Sequence, residues 1–243
     1  MYRIVRTLAR GCADQPAMSR YGVKLTCRPN DLTFHYAMLG QYGQVGDELV
    51  TRLKPGMCFI DVGANQGVFS LMAAKIVGAE GRVISFEPSR REFAVLLRNI
   101  DCNRADNILP IHCGLADRTG LASLRLAGDE HTGLNHYVDG LGQPSLQLDL
   151  RQCHSLVKEL IGSRSTVIKI DVEGYEAKVI RSLEEVLRSA GTVSVLIEID
   201  GRNLTRQESC IDEIYDYMDS IGYTHVHRPG YMPHYDEVFY RAD

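Results

Sequence analysis

Apolar residues in this chain follow two alternating rhythms. Short continuous runs, MCFIDVG (57–63), RVISFEP (82–88), ILPIHCG (108–114), TVIKIDV (166–172) and VSVLIEI (193–199), read as strands buried on both faces. Segments with helical spacing follow most of them, at 66–77, 89–100, 174–189 and 207–221. In the third, Val179, Ile180, Leu183, Val186 and Leu187 make the apolar stripe, and Gly191 supplies a left-handed stop. Upstream, YGVKLTC (21–27) reads as a short strand closed by the turn Pro29-Asn30-Asp31, and 44–53 as a helix stopped by Lys54-Pro55-Gly56. YTHVHR and EVFYR near the C-terminus read as a short antiparallel pair at a sheet edge.

Strands alternating with helices predict an α/β fold: a doubly wound, mainly parallel sheet of seven strands with an antiparallel edge strand. Residues 118–150 break the alternation and read as a polar insertion, a hairpin and loop. The expected organisation is an N-terminal arm and cap over 1–52, followed by the main domain over 53–243. Such sheets place ligands at the carboxyl ends of their strands, near the point where strand order reverses, so the chemistry is sought there.

Composition changes this picture little. The chain has 243 residues, 44% apolar and 24% charged, which is ordinary for a folded domain and argues against disorder. No apolar run approaches the roughly 18 residues of a membrane span. The opening MYRIVRTLARGCADQP lacks the apolar block and cleavage site of a signal peptide, so the expected compartment is the cytoplasm. Seven cysteines occur singly with no CxxC pair, which points to reduced, mostly buried thiols.

Charge is uneven. Arg3, Arg6, Arg10, Arg20, Lys24 and Arg28 against Asp14 give residues 1–30 a charge of +5, while the whole chain carries −4. The segment reads either as a solvated helix and loop or as an arm that touches an anionic membrane or polyanionic substrate. No basic stripe is interleaved with aromatics, so a nucleic-acid partner is not expected. A homodimer is left open.

The first strand ends in Asp61-Val62-Gly63-Ala64-Asn65-Gln66-Gly67, a glycine turn feeding directly into a helix. Glu87 closes the second strand 20 residues after Gly67. A carboxylate there can accept hydrogen bonds from both hydroxyls of a ribose, so strand, turn, helix and acid together make a nucleoside-binding pattern. The turn lacks the second and third glycines of the dinucleotide fingerprint. Asp61 is expected at the mouth of the turn, where it would repel a diphosphate and suit an ammonium group. That favours S-adenosylmethionine over NAD.

The stretch LKPGMCFIDVGANQGVFSLMAAKIVGAEGRVISFEPSRREFAVLLRNIDCN (53–103) closely resembles the FkbM-type S-adenosylmethionine-dependent methyltransferases. So does VIKIDVEGYEAKVIRSLEEVL (167–187), whose K-I-D-V-E-G-x-E is a signature of that family. QLDL (147–150) and the strand ending in Glu198 also fit, and the resemblance covers about residues 40–200. It implies a Rossmann-like class I methyltransferase fold and, as a rule, O-methylation of a hydroxyl on a sugar, glycan or polyketide. Carried over by position, it puts Asp61, Gly63, Asn65 and Gly67, with Ala64 in the same turn, around the methionine end. Glu87 and the adjoining Pro88 would lie at the ribose, and Leu115 and Ala116 near the adenine. Residues 1–30 and the insertion match nothing in the pattern, which leaves the acceptor open.

Strand 166–172 leads out through Lys169, Asp171 and Glu173, which alternation puts on one side. Three charged groups in a row are costly to bury unless paired, so they read as a structural network or as groups that position donor and acceptor hydroxyl. The next strand ends in Glu198 and Asp200. Asp171, Glu198 and Asp200 are therefore expected to converge, either as hydrogen-bond acceptors or as ligands for a hard cation such as Mg²⁺. Transfer to oxygen also needs a proton acceptor if no metal serves. His131 and His136, in the insertion with Asn135 and Tyr137, are candidates on a lid. His225, His227 and His234 near the C-terminus can also arch over the sheet ends. The competing classes are an NAD-linked oxidoreductase and a non-catalytic nucleoside-binding module on the same fold.

Overall fold

The computed structural model describes residues 10–227, 229–230 and 232–241, so Arg3 and Arg6 of the basic arm lie outside the described residues. Its centre is a seven-stranded sheet. In chain order the strands are β3 (Cys58–Val62), β4 (Arg82–Phe86), β5 (Ile108–Ile111), β10 (Thr166–Ile170), β11 (Thr192–Asp200), β12 (Thr224–His225) and β13 (His234–Tyr240). Their spatial order is β12-β13-β11-β10-β3-β4-β5. β3, β4, β5, β10 and β11 run parallel, and β13 runs against them. β12 and β13 form the expected antiparallel pair, with β13 inside and the two-residue β12 outside. Strand order reverses between β3 and β10, so their carboxyl ends open the crevice where such sheets bind ligands.

The pleat explains the two halves of the core. Cys58, Ile60 and Val62 point to one face, with Ile168, Ile170, Val195 and Ile197. There they pack on α6 (Glu176–Ser182), α7 (Glu184–Arg188) and α9 (Ile211–Ser220). Phe59, Val83, Val167 and Leu196 point the other way, onto α3 (Val68–Val77). That second layer also takes up the N-terminal segment: β2 (Lys24–Thr26), α1 (Leu32–Leu39) and α2 (Gly43–Arg52) bring Val23, Leu25, Phe34, Ala37 and Leu49 into the same cluster. From residue 16 onward, where β1 (Pro16–Met18) pairs with β2, the chain is packed cover and not a loose arm.

Several elements depart from the periodicity. α1 escaped detection because LTFHYAML is apolar nearly all round and shows no stripe; Asp31 caps it by accepting from Thr33 N at 3.2 Å, and Gly40 ends it. The expected helix over 174–189 is two helices meeting at Leu183. The expected helix over 207–221 starts at Ile211, and a separate α8 (Gly201–Arg206) precedes it. The strand expected over 108–114 ends at Ile111. The chain then turns away into a small second sheet of β6 (Gly114–Leu115), β7 (Gly120–Arg125), β8 (His136–Val138) and β9 (Gln143–Leu148), ordered β6-β9-β7-β8. The insertion is thus a sheet that buries Leu124 and Tyr137 against the main core. α4 (Arg90–Asn103) and α5 (His154–Ile161) complete the layers. Cys27, Cys58 and Cys113 are buried, while Cys12 and Cys210 are exposed. No helix among the described residues is long and apolar enough to cross a membrane.

Candidate active site

A pocket of about 390 Å³ opens at the carboxyl ends of β3, β4, β10 and β11. Its floor is the turn after β3, its far wall the exits of β10 and β11. Its cover comes from two segments outside the central sheet: α1 and the residues after it (Thr33, Tyr36, Tyr42), and the insertion from His131 to Tyr137.

The turn is shaped by glycine. Gly63 has φ +84°, in the left-handed region, and a Cβ there would overlap the carbonyl oxygen of Asp171. Two parallel strand exits therefore approach each other as only a glycine permits. Gly63 N and Ala64 N both donate to Phe86 O at 3.0 Å, which fixes the turn against β4. Gly63, Ala64 and Asn65 line the pocket. Gly67 does not; it caps α3 at φ +84° and leaves room for the Leu96 side chain.

Asp61 corrects the reading from sequence. It lies beneath the pocket, fully buried, and is not among the lining residues. The pleat turns it toward α3, where Ser70 Oγ donates to its Oδ2 at 2.5 Å and also contacts Ser85 Oγ at 2.8 Å. Burial raises its pKa, opposed by Lys169 on the adjacent strand.

Glu87 is where the sequence puts it, at the end of β4, on the pocket wall and 4% exposed. Its Oε2 accepts from Asn65 N and its Oε1 from Ser89 N, both at 2.8 Å. Each oxygen keeps a lone pair for a further donor. Burial pushes its pKa up to about 8 against those two bonds. A buried carboxylate with spare acceptor capacity and no cation bonded to it fits an adenosyl ligand's ribose. Pro88, Leu115, Leu124 and Tyr137 continue the wall beyond it with apolar surface. Ala116, expected beside Leu115, is buried behind the wall.

Lys169, Asp171 and Glu173 all line the opposite wall. Lys169 is 4% exposed; its Nζ donates to Asp171 Oδ2 at 2.9 Å and lies 4.9 Å from the centre of the Phe69 ring. Burial acts to lower its pKa, but Asp171 and Asp61 outweigh it and the net shift is upward, so Lys169 stays a cation. Glu173 has φ +55°, an unusual backbone for a side-chain-bearing residue. Glu176, the last acid of the K-I-D-V-E-G-x-E motif, explains how the loop holds that shape. It is buried, and its Oε1 accepts from Val172 N and Gly174 N at 3.1 Å each. Asn203 Nδ2 donates to Glu173 Oε2 at 2.6 Å. Burial and the neighbouring Asp171 and Glu198 carboxylates push Glu173 up to about 9.

Asp171, Glu173 and Glu198 each offer an oxygen within 4.8 Å of the others. This corrects the expected trio of Asp171, Glu198 and Asp200. Asp200 lines the pocket, but its carboxylate is the cap of α8, accepting from Arg202 N at 2.8 Å and Asn203 N at 3.3 Å and pairing with the Arg202 guanidinium. The observed trio does not fit a divalent cation either. Asp171 already carries the Lys169 ammonium, Glu198 is bonded to His234 Nε2 at 2.9 Å, and Glu173 holds Asn203. A second cation would be repelled by Lys169.

The histidines separate cleanly. His131 lines the pocket with its Nδ1 buried and without a hydrogen-bond partner. His136 does not line it; the strand register turns its ring away, and Nδ1 contacts Leu134 O at 3.0 Å. His234 does reach the pocket, carried there by β13, and its bond to Glu198 raises its pKa. His225 and His227 stay at the Tyr215–Glu237 cluster.

One group that sequence reasoning missed is Asp31. It is fully buried, accepts from Thr132 Oγ1 at 2.9 Å and from the Gln66 side-chain amide, and pairs with Arg28 at 3.6 Å. It thereby joins the N-terminal cover to the insertion and both to the turn after β3. A second tie runs through buried Glu92, which takes Arg28, Arg91 and Asn135. The sequence signal was available: the Asp of a Pro-Asn-Asp turn is a helix cap.

Comparison with known proteins adds to this geometry. The methyltransferase FkbM domain matches residues 61–224. Hexuronic acid methyltransferase AglP of Haloferax volcanii is 28% identical over 148 residues, which is 60% of this chain and 59% of that protein. Methyltransferase 1 of Beauveria bassiana is 24% identical over 145 residues, 52% of this chain and 58% of its own length. The match thus spans less than two thirds of either relative. Among solved structures, an O-methyltransferase from Bacillus cereus bound to S-adenosylhomocysteine superposes with a TM-score of 0.50 at 13% identity, covering 81% of this chain and 80% of that one. Precorrin-6y C5,15-methyltransferase from Geobacter metallireducens gives 0.50 at 12% identity, covering 82% and 88%. These two carry the fold: a class I methyltransferase sheet. With the family domain matching more than half of this chain, residues 61–224, the chain belongs to the FkbM family of S-adenosylmethionine-dependent methyltransferases.

Proposed function

We propose that this enzyme methylates a hydroxyl of a sugar-type acceptor, with the donor along the β3 and β4 exits and the acceptor at the β10 and β11 exits. The observation that carries the reading is the convergence of Asp171, Glu173 and Glu198 beside the glycine turn. Carboxylates accept hydrogen bonds from hydroxyls, and a polyhydroxyl ring satisfies several at once. The relative AglP is named for action on a hexuronic acid, which supports the sugar class. The wall favours a neutral sugar over a uronate: burial keeps Glu173 protonated, Asp171 and Glu198 already have Lys169 and His234 as partners, and a uronate would bring in a charge left unpaired.

The donor, when bound, supplies a methyl group activated by its sulfonium. The protein has to align the attacking oxygen and accept its proton. Asp171, steadied by Lys169, holds the acceptor hydroxyl. Glu198 takes its proton, and the exposed His234 bonded to it opens a path to solvent. Tyr36, Tyr42 and the insertion exclude water from above. Incubation with methyl-labelled S-adenosylmethionine and a panel of neutral glycosides, uronosides and phenols tests this. Label in an ether of a neutral glycoside is expected; label confined to nitrogen or to phenols contradicts it.

Glu87 makes a separate prediction. Its carboxyl sits near 8 without donor, so it is mostly protonated at pH 7. Ribose hydroxyls donating to it favour the ionised form. Donor binding at pH 7 is therefore expected to release close to one proton, seen by calorimetry in buffers of different ionisation enthalpy, and Glu87→Gln should abolish the release. The same shift has a sign for stability. The native state binds a proton that the unfolded chain has lost, so the ligand-free protein loses stability as pH rises from the ordinary carboxylate range through about 8. Equal stability at pH 5 and pH 9 would be inconsistent with a buried, proton-bearing Glu87.

A further inference from the structure

Gln66 is fully buried, lines the pocket and has an amide satisfied at one end only. Its Nε2 donates to Asp31 Oδ2 and lies 3.5 Å from Thr132 Oγ1. Among the described residues its Oε1 has no hydrogen-bond partner. The orientation is dictated by chemistry. Turning the amide over would press its oxygen against the Asp31 carboxylate, and Thr132 Oγ1 already gives its proton to Asp31 at 2.9 Å. A buried carbonyl oxygen held this way is costly unless a donor arrives.

We propose that Gln66 Oε1 receives the α-ammonium of the donor's methionine end, the role that the charge pattern of the sequence assigns to Asp61. This rests on the reading that the pocket takes S-adenosylmethionine. Asp61 is unsuited: Ser70 engages its Oδ2, and although its Oδ1 is also buried without a partner among the described residues, the side chain lies below the floor and does not line the pocket. Gln66 is suited. An ammonium brings three N–H donors and a positive charge. The buried Asp31 carboxylate behind the amide polarises it toward a stronger acceptor.

Neither supporting group belongs to the turn. Asp31 precedes α1 in the N-terminal cover, and Thr132 lies in the insertion; Thr132 N also reaches Asp31 Oδ1 at 3.4 Å, and Leu32 N donates to Glu130 O at 2.9 Å. The oxygen is therefore aimed only when both covering segments are docked on the turn. Recognition of the amino-acid half of the donor is coupled to closure of the cover, whereas the Glu87 carboxyl is held by Asn65 N and Ser89 N, neither of which belongs to the cover.

The test is calorimetric titration of wild type, Gln66→Leu, Gln66→Met and Asp31→Asn with S-adenosylhomocysteine and with 5′-methylthioadenosine, which keeps the adenosine and thioether and lacks the amino acid. For both Gln66 variants the S-adenosylhomocysteine affinity is expected to fall about ten- to hundredfold, as for a lost bond to a charged group. The methylthioadenosine affinity should stay within about threefold, which also certifies a folded pocket. Asp31→Asn should lose S-adenosylhomocysteine affinity selectively and to a smaller extent, because its amide no longer forbids the flip. Unchanged S-adenosylhomocysteine affinity in both Gln66 variants, or parallel loss of both ligands in both, overturns the inference. Failure of wild type to bind S-adenosylhomocysteine would instead remove the donor reading beneath it.

Discussion

Gly63→Ala is expected to destabilise the protein by about 2–5 kcal/mol and to abolish donor binding. The left-handed backbone alone costs a side-chain-bearing residue about 1–2 kcal/mol. At Gly63 a Cβ would also overlap the carbonyl oxygen of Asp171, a backbone atom on the exit of β10 that cannot swing aside. Overpacking of that kind adds about 1–3 kcal/mol. The loss is a large part of an ordinary domain's stability. Relief would require β3 and β10 to part, and that would also move Ala64, Asn65 and Asp171 on the pocket wall. Gly222→Ala is the control. Its φ, +85°, nearly equals that of Gly63, but no described atom lies within 4 Å of its would-be Cβ, so only the backbone cost of about 1–2 kcal/mol remains. Urea denaturation of both variants, with S-adenosylhomocysteine titration, measures the difference. Equal losses at the two positions would mean that the close approach of the strands is not required.

Asp171→Asn is expected to lower kcat by about 10²-fold, as for a misplaced reactant, while S-adenosylhomocysteine affinity changes by no more than a few-fold. The substitution keeps the shape of the side chain and its backbone contact with the turn. It removes the charge that fixes Lys169 and that, on the proposed mechanism, holds the acceptor hydroxyl. Lys169 then loses its hydrogen-bonded partner and keeps Asp61 and, more weakly, Glu198 as counter-charges. Initial rates with labelled donor and the acceptor found in the panel test this, beside calorimetry on the same protein. A fall in donor affinity as large as the fall in rate would assign Asp171 to the donor side. An unchanged rate would remove it from the reaction.

The fold was largely legible because its signals are local. Four buried strands and a half-buried edge strand (Ile108–Ile111), each an apolar run, and the helices between them define a parallel sheet, and a parallel sheet defines which strand ends meet. Glu87, Asp171 and Glu198 were legible for the same reason: each is the polar residue that closes an apolar run. Facing was harder. Asp61 and Gly63 are two residues apart, yet the pleat sends the Asp61 side chain down to Ser70 while the Gly63 backbone borders the pocket. Asp200 reads as a companion of Glu198, but a helix begins immediately after it and claims its carboxylate as a cap. His136 and His131 share one loop in sequence, and the register of β8 separates them. The cover was the least legible part. Asp31, Gln66 and Thr132 meet across 101 residues of chain, and no periodicity encodes a meeting of three polar side chains from three segments.

The central claim is that the crevice beside β3 takes a cationic, phosphate-free adenosine compound. Isothermal titration of the purified protein with S-adenosylhomocysteine, and in parallel with NAD, addresses it directly. The account predicts one saturable site for S-adenosylhomocysteine, with proton release at pH 7 that disappears in Glu87→Gln, and no binding of NAD. Saturable binding of NAD with none of S-adenosylhomocysteine would contradict it.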